Sequence, residues 1–374
     1  MAARATTIAQ AFSNKVMAEL YDRNLLDQIV NRDYEGEINA VGSKVNVLNF
    51  DRVTEKTYSG ADLTADSLTE SNMALTINQY KSFYWKEKTL DNWISYIKNP
   101  HPTIVAQVAS ERAKNMDEFV LGFYGDVGAG NRVGTDYTTG TVTVATGTGV
   151  VTPAGGATFS AAMEGKPFKA TGHTKWYRVQ VGSYAAQGNG NLVIEDDKDD
   201  ATSAYTGGAI AGGTTYTIQA VTAVSITTAN LLQKVADLKQ KLDEVESYDL
   251  NPAPDTDRWI IVPPAFENTL VRATGVALHV PAVYDGLVKL GFITELQGFK
   301  VFKSNRLTGN NTDGYHIIAG HSGWLTMAEK VLDARIEEDL IGNFGSAYKD
   351  LFVYGAKVMD SRRHFAAELF ATFA

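Results

Sequence analysis

Residues 42–91 constrain this chain more than any other stretch, because they read as a long two-stranded arm with no core of its own. Val45 and Val47 alternate with polar neighbours on the way out. Met73, Leu75, Ile77, Phe83 and Trp85 keep a two-residue period on the way back, and side chains two apart share one face of a strand. Between the two strands, residues 55–69 are polar and turn-rich. An isolated two-stranded hairpin is marginally stable in water. One this apolar is expected to lie on something else, and a neighbouring subunit is the natural candidate. The pattern points to an assembly protein.

Helical periods flank the arm. Ile8, Phe12, Val16 and Leu20 recur every fourth residue, which predicts a helix over 7–31. After the arm, Asn99-Pro100-His101-Pro102-Thr103 breaks the chain and opens a second helix, since proline suits the first helical turn. That helix is expected to run to about residue 124, with Val105, Ala109, Ala113, Met116, Val120 and Phe123 on its inner face. At ~1.5 Å per residue it spans roughly 30 Å.

Composition switches near Gly125 and switches back near Thr227. About half of the chain's 33 glycines fall between these points, among short alternating segments. Strands are predicted over 141–145, 175–181, 191–195 and 214–222, as in small β-barrels or sandwiches. The flanks mix helix and strand, so residues 126–225 read as a β-domain inserted at a loop. Helical sequence resumes at Thr228, with Leu231, Val235, Leu238, Leu242 and Val245 on one face and an expected Asp237–Lys241 pair outside. Strands are predicted at 258–262, 298–305, 315–319 and 348–359, and 366–373 is a last apolar element. Pro263-Pro264 opens a short helix through Phe266 and Leu270, and 323–328 is helix-prone.

Chemical motifs are weak throughout. Gly128-Ala129-Gly130-Asn131-Arg132-Val133-Gly134 approaches a dinucleotide fingerprint, but its last spacing is long and it follows a helix where a strand is needed, so it reads as a loop. Ser322 beside His321 lacks the nucleophile-elbow spacing and is better placed capping the helix that follows. The acidic run 195–200 offers oxygen ligands for Ca²⁺, yet lacks the glycine and distal glutamate of an EF-hand loop and also reads as a solvated turn. The six histidines show no zinc spacing, and no carboxylate pair stands out among the 43 acidic residues. With no cysteine, disulfides and thiolate sites are excluded. A net charge of −9 argues against a dedicated nucleic-acid binder. The N-terminal residues lack the apolar core of a signal peptide, and no apolar run is long enough to span a bilayer. A soluble, non-enzymatic protein made in a cytoplasm, without cofactor or metal, is the expectation.

The order of elements resembles the major capsid proteins of tailed bacteriophages, with the HK97-like fold, and most closely the coat proteins of the P22 type. Gly42-Ser43-Lys44-Val45-Asn46-Val47, Tyr58-Ser59-Gly60-Ala61-Asp62-Leu63, Ser67-Leu68-Thr69, Leu75-Thr76-Ile77-Asn78-Gln79-Tyr80-Lys81 and Lys86-Glu87-Lys88-Thr89-Leu90-Asp91 carry the likeness to that family's extended arm. Arg258 to Pro264, Gly298 to Asn305, Ile318 to His321 and Tyr348 to Val358 resemble its axial and peripheral domains. The insert is similar, more loosely, to β-barrel modules found in phage structural proteins.

The resemblance implies an α+β capsid fold partitioned as an N-terminal helical arm (1–41), an extended hairpin (42–91), a spine helix (92–125), the inserted β-domain (126–225), an axial domain with its return (226–345) and closing peripheral elements (346–374). It implies self-assembly into a closed icosahedral shell around double-stranded DNA, bound without sequence specificity. A scaffolding protein, a portal and a decoration protein are implied partners, with assembly in the host cytoplasm and no membrane. Lys56, Tyr58, Leu63, Leu68, Phe83 and Trp85 are the expected contacts with the neighbouring subunit, and Lys56 is a candidate for the covalent cross-link some such shells carry. An encapsulin-like compartment, a phage adhesin and an enzyme with unrecognised carboxylates are the alternative readings; closed shells seen by electron microscopy would separate them.

Overall fold

The computed structural model describes residues 26, 29–32, 44–50, 70–88, 101–173, 175–196, 204–244, 252–277, 295–337 and 345–374. Most of the helix expected over 7–31, the arm tip bearing Lys56, Tyr58, Leu63 and Leu68, residues 197–200 of the acidic run, and Val245 lie outside these residues.

In chain order the strands and helices begin with β1 (Lys44–Phe50), β2 (Glu70–Thr76), β3 (Gln79–Lys88), α1 (His101–Leu121) and β4 (Arg132–Val133). Then come β5 (Thr135–Tyr137), β6 (Thr141–Val144), β7 (Val150–Ala154), β8 (Pro167–Ala170), β9 (Tyr177–Val179), α2 (Ser183–Gln187), β10 (Leu192–Asp196), β11 (Ile210–Thr214) and β12 (Tyr216–Thr222). The last group is β13 (Val224–Ile226), α3 (Leu231–Asp243), β14 (Arg258–Val262), α4 (Pro264–Ala277), β15 (Glu295–Leu296), β16 (Phe299–Lys303), β17 (Gly309–Asn310), β18 (Gly314–His321), β19 (Leu325–Glu337), β20 (Gly345–Val358) and β21 (Ala366–Phe373). Two compact units result, one of residues 1–113 and 325–359, the other of 114–324 and 360–374, so the boundary falls within α1.

In the first unit, β1 and β2 form an antiparallel ladder from Lys44 opposite Thr76 to Phe50 opposite Glu70. The chain then changes partner. From Gln79 onward β3 pairs antiparallel with β20, and β20 pairs with β19, giving the order β19-β20-β3. Phe83 and Trp85 therefore belong to this three-stranded sheet and not to the arm, a correction to the expected hairpin over 42–91. The two-residue period runs on through Ile77 and Asn78 because both ladders demand it, so alternation could not reveal the switch.

The second unit contains two larger sheets. One has the order β13-β21-β18-β14-β16-β15, with β4 also on β21 and β17 on β18. Its central β14 is buried at every position, as expected for a strand covered on both faces. Helix α3 packs on β21 and β4 and buries Leu231, Val235, Leu238 and Leu242, the stripe its four-three-four spacing predicts. Its outer pair differs from expectation: Lys234 reaches Asp237 at 2.7 Å.

The other sheet, β11-β6-β7-β10-β9-β8-β12-β5, is built wholly from residues 135–222. Its own apolar cluster joins Val142, Val144, Val151, Phe168, Val179, Leu192, Ile194, Tyr216 and Ile218. The chain enters it from β4 and leaves it into β13, and both of those short strands pair in parallel with β21.

Residues 323–328, read from sequence as helix-prone, are instead turn and strand. Trp324 to Glu329 are all buried, so no alternation marked the strand, and pairing of Leu325 to Glu337 with β20 decides its form. Ser322 accordingly lies in a turn and caps no helix; in that turn the Gly323 N–H donates to His321 Nδ1 at 3.0 Å. Along α1, Ala109, Ala113, Met116 and Val120 are buried, but Val105 is half-buried and Phe123 lies half-buried in the 3-10 turn that follows.

Candidate interaction surfaces

The root of the β1–β2 arm is pinned by packing. Leu75 and Ile77 are buried against Ala328 and Val353, with Leu332 and Leu351 beside them. Gly355 makes the close approach possible, because a Cβ there would lie 2.5 Å from the Thr76 carbonyl oxygen. The Tyr80 hydroxyl donates to the Ile77 carbonyl at 2.8 Å, bracing the point where the chain passes from one ladder to the other.

Strand alternation divides the faces of β3. Phe83 and Trp85 turn to one side, where the Arg112 guanidinium of α1 sits 5.5 Å from the Phe83 ring and Trp85 stacks on Tyr348 at 5.0 Å. Arg112 also lies 4.7 Å from the Phe352 ring and donates to both carboxylate oxygens of buried Asp350 at 2.5 Å. Tyr80 and Tyr84 turn to the other side and are 46% and 54% exposed. Among the described residues, the outer edge of β3 has no strand paired to it. Beside these tyrosines a groove of about 460 Å³ is lined by Ser82, Tyr84, Asp333, Arg335, Lys349 and Leu351. An open strand edge carrying exposed aromatics next to mixed charge is an association surface unless something covers it.

A second site lies in the other unit, between the inserted sheet and the sheet it emerges from. Glu368 of β21 is fully buried and takes Arg132 at 2.8 Å and His316 Nδ1 at 2.5 Å. His316 stacks between Tyr124 at 3.9 Å and Phe370 at 4.5 Å. Burial alone would raise the Glu368 pKa, but Arg132, the His316 hydrogen bond and Lys166 outweigh it and hold the carboxyl at about 2. Burial pushes the Lys166 ammonium down, and the charge of Glu368 opposes this only in part. Arg132, Lys166, His316, Tyr124 and Phe370 line a cleft of about 750 Å³ that also takes in Glu164, Arg178 and Asp313.

The remaining sequence motifs resolve into structural contacts. In the glycine-rich loop, the Gly128 amide donates to the Arg363 carbonyl at 3.0 Å and the Gly130 amide to Gln219 Oε1 at 2.8 Å, so both donors are spent on the protein. In the acidic run, Asp196 accepts from Lys175 and Thr206. His321 serves its turn, whereas His316 belongs to the Glu368 network, which sequence reasoning missed. Its members are 132, 316 and 368, too far apart in sequence for any motif to join them. Of the six expected contact residues, Phe83 and Trp85 fall on the Arg112 side of β3, and the aromatics that β3 exposes are Tyr80 and Tyr84.

A family model described as phage capsid protein matches residues 178–367. No curated protein matches the sequence. Among solved structures, the chain is similar to one from Mycobacterium phage Che8 at 15% identity and TM-score 0.50, covering 94% of this chain and 90% of that one. It is similar to the capsid of cyanophage P-SCSP1u at 14% identity and TM-score 0.53, covering 93% and 87%. It is also similar to the cyanophage Pam1 capsid at 10% identity and TM-score 0.50, covering 92% and 89%. At such identities the likeness is one of fold.

Proposed function

The chain belongs to the phage capsid protein family and builds the shell of a phage head with the HK97-like fold, and on that premise we propose how one subunit grips the next. The β1–β2 arm reaches over the adjacent subunit, with Lys56, Tyr58, Leu63 and Leu68 near its tip as contact residues. Tyr80 and Tyr84 at its root receive a neighbour along the open edge of β3.

One observation carries this reading. Among the described residues, β1 and β2 pair with each other and join no larger sheet, and a lone two-stranded ladder is marginal in water. Leu75 and Ile77 anchor only its root. The rest of its stability then comes from outside the subunit. Covering the exposed halves of two tyrosines contributes on the order of a few kcal/mol at ~25 cal/mol per Å². Such contacts are modest singly and add over a closed lattice.

The same reading gives the shell a scaffolding protein, a portal and a decoration protein as partners, and places assembly in the host cytoplasm. Its part in the virion is structural, without catalysis. A net charge of −9 keeps contact with enclosed double-stranded DNA weak and independent of sequence.

Two variants test the arm. Deletion of residues 55–68, and the pair Tyr80→Ser with Tyr84→Ser, should each leave a soluble subunit with a cooperative melt while abolishing closed particles in electron micrographs. Particles of normal size and yield from both would remove the arm and the β3 edge from assembly.

A further inference from the structure

The cleft beside Glu368 holds more cationic donors than its described residues use. Lys166 is 9% exposed, and its Nζ is buried with no hydrogen-bond acceptor among the described residues. The Phe370 ring lies 4.6 Å from that Nζ, a weaker partner than an anion. The Nε atoms of Arg132 and Arg178 are likewise buried without an acceptor. Arg178 meets Asp126 only at 3.9 Å.

The acidic groups nearby are committed elsewhere. Glu368 holds Arg132 and His316. The two carboxylate oxygens of Glu164 take the amides of Gly182 and Tyr184, each at 2.8 Å. Asp313 accepts from the Asn310 side chain at 2.6 Å. A buried ammonium without a hydrogen-bond acceptor is costly, and an anion entering the cleft would offset that cost.

We propose that this cleft binds a small oxyanion, a phosphate or carboxylate group, held by Lys166 together with Arg132 and Arg178. Lys166 and Arg178 belong to the inserted sheet's side, and Arg132 belongs to β4. The bound anion therefore ties the insert to the sheet from which it springs. Guanidinium forks suit such planar or tetrahedral oxygen groups. A cleft of about 750 Å³ admits more than one bare ion, so the anionic group can be carried on a larger molecule.

The test uses the full chain as unassembled subunit, with sodium phosphate or sodium acetate against sodium chloride at equal ionic strength. Phosphate or acetate at about 10 mM should raise the melting midpoint and give saturable one-site heat in calorimetry. Lys166→Met should lose both signals, Lys166→Arg should keep them, and Arg178→Gln should weaken binding about tenfold. A phosphate response without an acetate response assigns the phosphate class, and the reverse assigns a carboxylate. Arg178 is partly exposed, so its variant carries the test if Lys166→Met does not fold. Equal anion responses in wild type and Arg178→Gln, or no saturable heat with either anion, would overturn the proposal.

Discussion

Val133 and Val224 lie in line along the same edge of β21, opposite Leu369 and Ala371, with Phe370 the one residue between those partners. The whole inserted sheet is thus spliced into a single edge strand. Gly134, at the exit, is forced by the crossing there: a Cβ would lie 2.6 Å from the Cα of Ala220 on the returning strand.

Replacing residues 134–223 by one glycine should restore a continuous edge strand from Arg132 to Ile226. The shortened chain is expected to stay soluble and to melt cooperatively by circular dichroism. Aggregation with no transition would mean that the insert is needed to complete the fold around β21.

The excised segment 135–222 should fold alone. Among the described residues, its apolar cluster draws every buried member from within 142–218, so excision leaves that cluster whole. A β-type spectrum with a cooperative thermal transition is expected; a random-coil spectrum would refute it.

Arg112 and Asp350 make a buried pair whose parts are worth little separately. Asp350→Asn should destabilise the first unit by roughly 3–5 kcal/mol in urea melts, because it leaves the guanidinium buried without its counter-charge. The double change Arg112→Met with Asp350→Leu should recover most of that loss. A double mutant as unstable as the single one would show that the pair contributes more than charge cancellation.

Glu368 makes stability fall in acid. Its carboxyl is held at about 2 against an ordinary value of 4.5, so its contribution is full above 4.5 and is lost as pH falls through 2. A lowering of that size is worth about 3 kcal/mol. Asp117 acts in the opposite sense: burial raises it to about 6 despite Arg306, so its contribution is full below 3.8 and lost as pH rises through 6. Glu368→Gln should flatten the stability curve between pH 4.5 and 2, and Asp117→Asn should flatten it between 3.8 and 6. Melts across pH read the two windows separately.

Along α1, Met116→Ala should cost about 2–5 kcal/mol, since Met116 is fully buried. Phe123→Ala should cost less, because Phe123 is half-buried and meets Phe119 edge-on at 5.2 Å. Glu111→Ala on the exposed side should change stability by under about 0.5 kcal/mol. Soluble yield and urea midpoints would order the three.

Local pattern in the sequence determined which residues turn inward along several elements. The α3 stripe of Leu231, Val235, Leu238 and Leu242 was legible because burial of one helix face writes a local repeat of 3.6. β14 was legible as an unbroken apolar run, and the inserted sheet as a glycine-rich change of composition. A repeat records that a face is covered and says nothing of what covers it. The switch of ladder partner between Thr76 and Gln79, the strand at Leu325–Glu337 and the displacement of exposed aromatics to Tyr80 and Tyr84 were therefore decided by tertiary pairing. So was the meeting of Arg132, His316 and Glu368, whose attraction acts through space across β4, β18 and β21, where no spacing along the chain encodes it.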